Sequence, residues 1–120
     1  MEQTRGYKDL IVWRKAMDLV PLAYRLARKL PREETWALGG QIRRAVISIP
    51  ANIAEGQARR HRPEFIHFLS IARGSLAELD TLLLAATRLD YFRAAELEPA
   101  QALMIEVRRL LQGLIQKLQE

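Results

Sequence analysis

The sequence predicts an all-α fold, an up-down-up-down antiparallel four-helix bundle with a kink at Pro50. Three observations support this. Apolar residues recur every three to four positions along four segments, the connections between these segments are short, and no segment alternates with the period of a strand. Short connections make successive helices antiparallel. Since linkers, repeats and low-complexity tracts are absent from the sequence, we expect residues 1–120 to form one domain.

The first helix is expected from about Asp9, a good N-cap residue, to Leu30, which precedes Pro31. It carries two apolar stripes about 100° apart. One stripe consists of Leu10, Trp13, Met17, Val20, Tyr24 and Ala27, and the other of Val12, Ala16, Leu19, Ala23, Leu26 and Leu30. A single core needs about one stripe, so we expect a neighbouring subunit to cover the surplus, assigned to Val12, Ala16, Leu19 and Ala23. Pro21 lacks an N–H group and is expected to kink this helix.

The other three helices are delimited by prolines and apolar periodicity. Helix two is expected from about Glu33 to Arg60, helix three from the first turn at Pro63 to about Leu89, and helix four from a first turn at Pro99. Their expected core residues are Leu38, Ile42, Ala45, Ile49, Ile53 and Gly56; then Phe65, Phe68, Ala72, Leu76, Leu79, Leu83 and Ala86; then Leu103, Val107, Leu110, Leu114 and Leu118.

A polar stripe follows the apolar seam of helix two. On a helical wheel its members fall within about 80° of one another, and they are Gln41, Arg44, Ser48, Asn52, Glu55, Arg59 and Arg62. Pro50 cannot donate to the Val46 carbonyl, so we expect a bend there, with Ser48 or Asn52 supplying polar compensation. Small residues, among them Gly56, leave room for a neighbouring helix to approach closely.

Charge and composition narrow the class of protein. The 120 residues carry a net charge of +5 and contain no cysteine, which excludes disulfides and thiolate chemistry. Residues 1–32 hold eight positive and three negative side chains, 33–62 hold five and three, and 63–120 hold six and eight. A basic first half favours an acidic partner, nucleic acid above all. The charged N-terminal stretch is no signal peptide and no apolar run spans a bilayer, so we expect a cytoplasmic protein without a membrane role.

Three stretches together resemble a known family. "QIRRAVISIPANIAEG", with "DLIVWRKAMDLV" before it and "EFIHFLSIARGSLAELDTLL" after it, is similar to the four-helix bundle family of the 23S rRNA intervening-sequence proteins. The resemblance implies ring-like homopentamers with a basic surface. It also implies a relation to the accessory proteins of diversity-generating retroelements, which bind a reverse transcriptase and nucleic acid. Most members have no established activity.

Catalytic and metal chemistry find little support in the sequence. Glu64-x-x-His67 has the spacing of a bundle metal ligand pair, but the only other histidine, His61, lacks a partner of that kind. Glu55 and Glu78 fall on neighbouring helices, yet Arg59 at i+4, and Arg73 across the helices, fit an ion-pair role for Glu55 better than a carboxylate pair. We therefore expect no enzyme, no metal and no cofactor.

The candidates for nucleic-acid binding are basic residues of the first two helices: Arg43, Arg44, Arg59, Arg60 and Arg62, with Arg14, Lys15, Arg25 and Lys29 as a rival surface. No aromatic residue interleaves with the Arg59–Arg62 cluster, so contacts to phosphates without sequence reading are expected. The resulting hypothesis is a homo-oligomer, a pentamer, that binds RNA or DNA and acts as an adaptor for a reverse transcriptase or another protein. The alternative is a structural protein-interaction module with no nucleic-acid role.

Overall fold

The computed structural model describes residues 6–120, and the first five residues of the predicted domain lie outside this range. Its elements are a 3-10 turn (Tyr7–Asp9), α1 (Ile11–Arg28), a second 3-10 turn (Arg32–Glu34), α2 (Leu38–Ala58), α3 (Arg62–Arg88) and α4 (Ala94–Gln119). No strand occurs within the described residues. Each helix packs against its two neighbours in the order α1–α2–α3–α4–α1. The predicted four-helix bundle is therefore confirmed.

The second apolar stripe of α1 lies in the core of its own chain. Val12 is 4% exposed, and Ala16, Leu19 and Ala23 are fully buried. Our expectation that a neighbouring subunit covers this stripe is therefore wrong, because the chain's own helices already cover it, and α1 packs against α2 and α4. The first stripe is only partly covered, since Met17 is 42% exposed, Ala27 is buried and the other members are partly buried against the core.

Helix α2 approaches α3 closely at Gly56. At Gly56 an added Cβ would lie 2.7 Å from the Cβ of Phe68 and 3.1 Å from Cδ1 of Phe65. A distance below about 3 Å means that the two backbones meet only because Gly56 has no side chain. The sequence-based expectation that small residues here admit a neighbouring helix is confirmed at this position.

The two internal prolines of α1 and α2 do not interrupt their helices. Pro21 and Pro50 both lie inside continuous helices, and the bends expected at the two residues remain predictions. Helix α2 begins at Leu38 and not at about Glu33, because Arg32–Glu34 form a separate 3-10 turn. Helix α4 begins earlier than expected, at Ala94, and has Pro99 in its second turn. Glu96 makes the earlier start possible, because its Oε1 accepts a 2.8 Å hydrogen bond from the Arg93 backbone N–H.

The core face of α4 is also rotated from the predicted one, by about 60° on a helical wheel. Of the five residues expected there, Val107 is fully buried, whereas Leu103, Leu110, Leu114 and Leu118 lie at the edges of the core. The residues that α4 buries are Leu97, Ala100, Met104, Val107, Leu111 and Ile115. For α2 and α3, nearly all the expected core residues are buried, and Leu38, Phe65 and Phe68 are partly exposed.

Candidate nucleic-acid interface

The middle of the polar stripe on α2 is a packing feature. The hydroxyls of Ser48 and Ser75 share a 2.8 Å hydrogen bond between α2 and α3. Nδ2 of Asn52 donates to the Ser48 carbonyl oxygen at 2.8 Å and to Ser48 Oγ at 2.9 Å. The amide therefore bonds to Ser48 and not to the Val46 carbonyl that Pro50 leaves without a donor. With Gly56 one turn further on, these residues form one line facing α3.

Glu55 acts as an ion-pair partner, as the sequence indicates. Its Oε2 accepts a 2.9 Å hydrogen bond from Nη2 of Arg59, one helical turn away, and this bond raises the pKa of Arg59. Arg73 instead lines a groove between α3 and α4. Glu78 lines a crevice with Gln41, Arg44 and Ser48, about two helical turns or more from Glu55. No Glu55–Glu78 carboxylate pair forms.

The nine predicted cationic residues divide between the two ends of a bundle 51 Å long. Because α1 and α2 are antiparallel, the last turn of α1 and the first turns of α2 share one end. That end carries Arg25, Lys29, Arg43 and Arg44, and the opposite end carries Arg14, Lys15, Arg59, Arg60 and Arg62. Arg62 belongs to α3, whose first residue it is, so it is not a member of the α2 stripe on which we placed it.

Four of these nine cations have acidic partners. The pairs are Arg14–Asp9 at 3.6 Å, Lys15–Glu106 at 3.4 Å, Lys29–Glu96 at 2.8 Å, and Arg59 with Glu55 at 2.9 Å and Glu64 at 3.8 Å. The pKa of Glu96 is lowered, chiefly by the backbone N–H of Arg93 and next by Lys29. The other five, Arg25, Arg43, Arg44, Arg60 and Arg62, have no acidic partner among residues 6–120.

A groove that the sequence interpretation missed lies beside two of these unpaired arginines. We name it the Trp36 groove, and it is lined by Tyr24, Trp36, Gly40, Arg43, Arg44, Ile47 and Ser48. The indole of Trp36 is 84% exposed, more than any other large apolar side chain among the described residues. The guanidinium carbon of Arg43 lies 5.4 Å from its ring centroid, within cation–π range.

A sequence signal for this groove did exist. Trp36 lies about 140° from the apolar seam of α2 when the helical wheel is continued back to it. A tryptophan so far from the core face is exposed, and Arg43 follows two turns later on the same side. Tyr24 gave no comparable signal, since it belongs to an apolar stripe of α1.

Metal ligands do not cluster in the described part of the chain. No group of three or more histidine, aspartate or glutamate side chains is placed to hold a metal ion there. Nδ1 of His61 lies 3.9 Å from Oε1 of Glu64, whereas His67 packs edge-on against Phe68. Glu64 and His67 have the sequence spacing of a metal-ligand pair, but no third ligand lies beside them within residues 6–120.

The fold and its surface define the class of protein, a four-helix bundle with unpaired arginines at both ends. Within residues 6–120, no helix is both long and apolar enough to cross a membrane. Residues 8–113 match the family described as 23S rRNA-intervening sequence protein, and the chain belongs to that family. Comparison with curated proteins gives no match.

A solved structure supports the same fold. It is the crystal structure of a protein of unknown function from the S23 ribosomal protein family of Bacteroides thetaiotaomicron VPI-5482. The TM-score is 0.80 at 26% sequence identity, and the similarity covers 88% of this chain and 98% of that one. The relative has no stated activity, so the function must be argued from the surface of this protein.

Proposed function

We propose that this protein is a cytoplasmic, non-enzymatic homo-oligomer that binds RNA or DNA through phosphate contacts and acts as an adaptor for another protein. The observation that carries the proposal is the set of five arginines without acidic partners. An unpaired guanidinium offers bidentate donors to a phosphate without first breaking an ion pair. The family resemblance to accessory proteins that bind a reverse transcriptase supports the adaptor role.

Salt dependence tests the phosphate contacts. We expect the protein to bind random oligonucleotides at about 50 mM salt, with affinity falling steeply as salt rises, because phosphate binding releases counterions. The double variant Arg60→Gly/Arg62→Ala should make the slope of log K against log [salt] shallower by about 0.7–0.9 for each phosphate that it no longer neutralises. Glycine suits position 60 because Arg60 has a φ of 56°. Fluorescence anisotropy across a salt series measures the slope.

A matched control removes the same charge from paired cations. Arg14→Ala/Lys15→Ala deletes two positive charges that already face Asp9 and Glu106, so the salt slope should stay unchanged. Arg25→Ala/Arg44→Ala removes two unpaired arginines at the other end of the bundle, and a shallower salt slope there would show that this end binds phosphates as well. If no probe binds at low salt, or if neither unpaired set alters the slope, a protein-interaction module without a nucleic-acid role replaces our proposal.

The assembly is a separate part of the proposal, and a pentamer is what the family resemblance implies. The surface of α1 available for it is the partly covered stripe around Met17 rather than the buried one. Met17 is 42% exposed and Val20 is half-buried. Light scattering should give a mass near five protomers for the native protein and a smaller mass for Met17→Glu, which would place a charge in the contact. A monomeric native protein at micromolar concentration would contradict the pentamer.

A further inference from the structure

The turn that carries Trp36 is tethered by hydrogen bonds to α2 and to Tyr91. Nη2 of Arg43 donates a 2.9 Å hydrogen bond to the Thr35 carbonyl while its guanidinium covers one face of the indole. Glu34 anchors the same turn, because its Oε1 accepts the Leu38 N–H at 3.3 Å and its Oε2 accepts the Tyr91 hydroxyl at 3.0 Å. An exposed tryptophan on such a tethered turn is a preformed platform.

The charge beside this platform is positive and uncompensated. Arg43 and Arg44 lack acidic partners among the described residues, although Arg44 also lines the neighbouring crevice that contains Glu78. The Arg44 side chain lies along α2 over Gly40, where an added Cβ would be 3.3 Å from Nη1. The glycine therefore lets a guanidinium lie flat at the edge of the groove.

An aromatic plane beside free guanidinium groups fits an occupant that combines a flat ring with a negative charge. A nucleotide has both, since its base stacks on an aromatic side chain and its phosphate accepts hydrogen bonds from arginine. In a duplex, the faces of the bases are covered by their neighbours, so only an unpaired nucleotide offers a free face.

Resting on the proposed function, we infer that the Trp36 groove binds an unpaired nucleotide, with the base stacked on Trp36 and its phosphate held by Arg44. This gives the protein a preference for single-stranded nucleic acid over duplex, beyond the phosphate contacts. A second copy of this chain is the competing occupant, and its packing here would bury two guanidiniums, which is costly unless that copy places a carboxylate against them.

Three probes of equal length test this inference: an oligodeoxythymidylate, an abasic strand that has the phosphates without the bases, and a duplex. We expect the native protein to bind the thymidylate most tightly. Trp36→Leu should weaken thymidylate binding about ten-fold and leave abasic and duplex binding unchanged. Trp36→Tyr, which keeps an aromatic face, should retain most of the affinity. In a Trp13→Phe background, the fluorescence of Trp36 should be quenched as the thymidylate binds.

The other outcomes are distinguishable. If all three probes bind the native protein equally, or if Trp36→Leu weakens none of them or all alike, base stacking is refuted while phosphate binding stands. If no probe binds at low salt, the proposed function fails and this inference fails with it. A change in the light-scattering mass of Trp36→Leu would show that the groove contacts a second copy instead.

Discussion

Replacing Leu19 with alanine should lower the free energy of unfolding by about 2–5 kcal/mol. Leu19 is fully buried in the core of its own chain, and the loss combines the transfer of its side chain with the cavity left behind. Urea denaturation measures the change. Because the side chain packs inside one chain, we also expect the mass of the assembly to be the same as that of the native protein.

The matched control is Met17→Ala, at an exposed position of the same helix. Met17 is 42% exposed, so its truncation should change the unfolding free energy of the protomer by about 0.5 kcal/mol or less. The contrast between the two variants separates core from surface on α1. If Leu19→Ala dissociated the assembly without destabilising the protomer, the buried stripe would be a subunit interface after all.

Alanine at position 56 should destabilise the protein even though alanine forms helices better than glycine. The added methyl group would lie 2.7 Å from the Cβ of Phe68, an atom fixed close to the backbone of α3. Overpacking of this kind costs roughly 1–3 kcal/mol, and the gain in helix propensity returns about 1 kcal/mol. We expect a net loss of up to about 2 kcal/mol in the free energy of unfolding.

Gly74→Ala makes the same chemical change within α3, where an added Cβ meets nothing within 4 Å. It should raise the free energy of unfolding by about 0.5–1 kcal/mol, since alanine restricts the unfolded chain and favours the helix. Thermal or urea unfolding of both variants gives the comparison. Equal effects at the two positions would mean that α2 and α3 move apart easily and that Gly56 has no packing role.

The class of fold could be predicted from the sequence because it depends on local periodicity. Prolines and repeating apolar residues located all four helices, with the largest errors, about five residues each, at the starts of α2 and α4. The error at α4 has a definite cause. Pro99 suits a first turn but is also tolerated in a second turn, and the hydrogen bond between Glu96 and Arg93 lets the helix begin earlier, at Ala94. The Glu55–Arg59 pair was also predictable, because residues at i and i+4 are neighbours on any helix.

The sequence by itself determined that four amphipathic helices form one bundle, that the stretch around Pro50 is a continuous helix, and that basic charge concentrates in the first half. Only the tertiary structure decided which stripe of α1 is buried, how far α4 is rotated, and which arginines lack acidic partners. Periodicity shows which residues share a face of a helix. The neighbouring helices decide whether that face is covered, and whether an acid such as Glu96 or Glu106 from a distant segment neutralises a given cation. The tertiary structure also places exposed Trp36 beside unpaired Arg43 and Arg44 in one groove, because the turn before α2 folds back onto that helix.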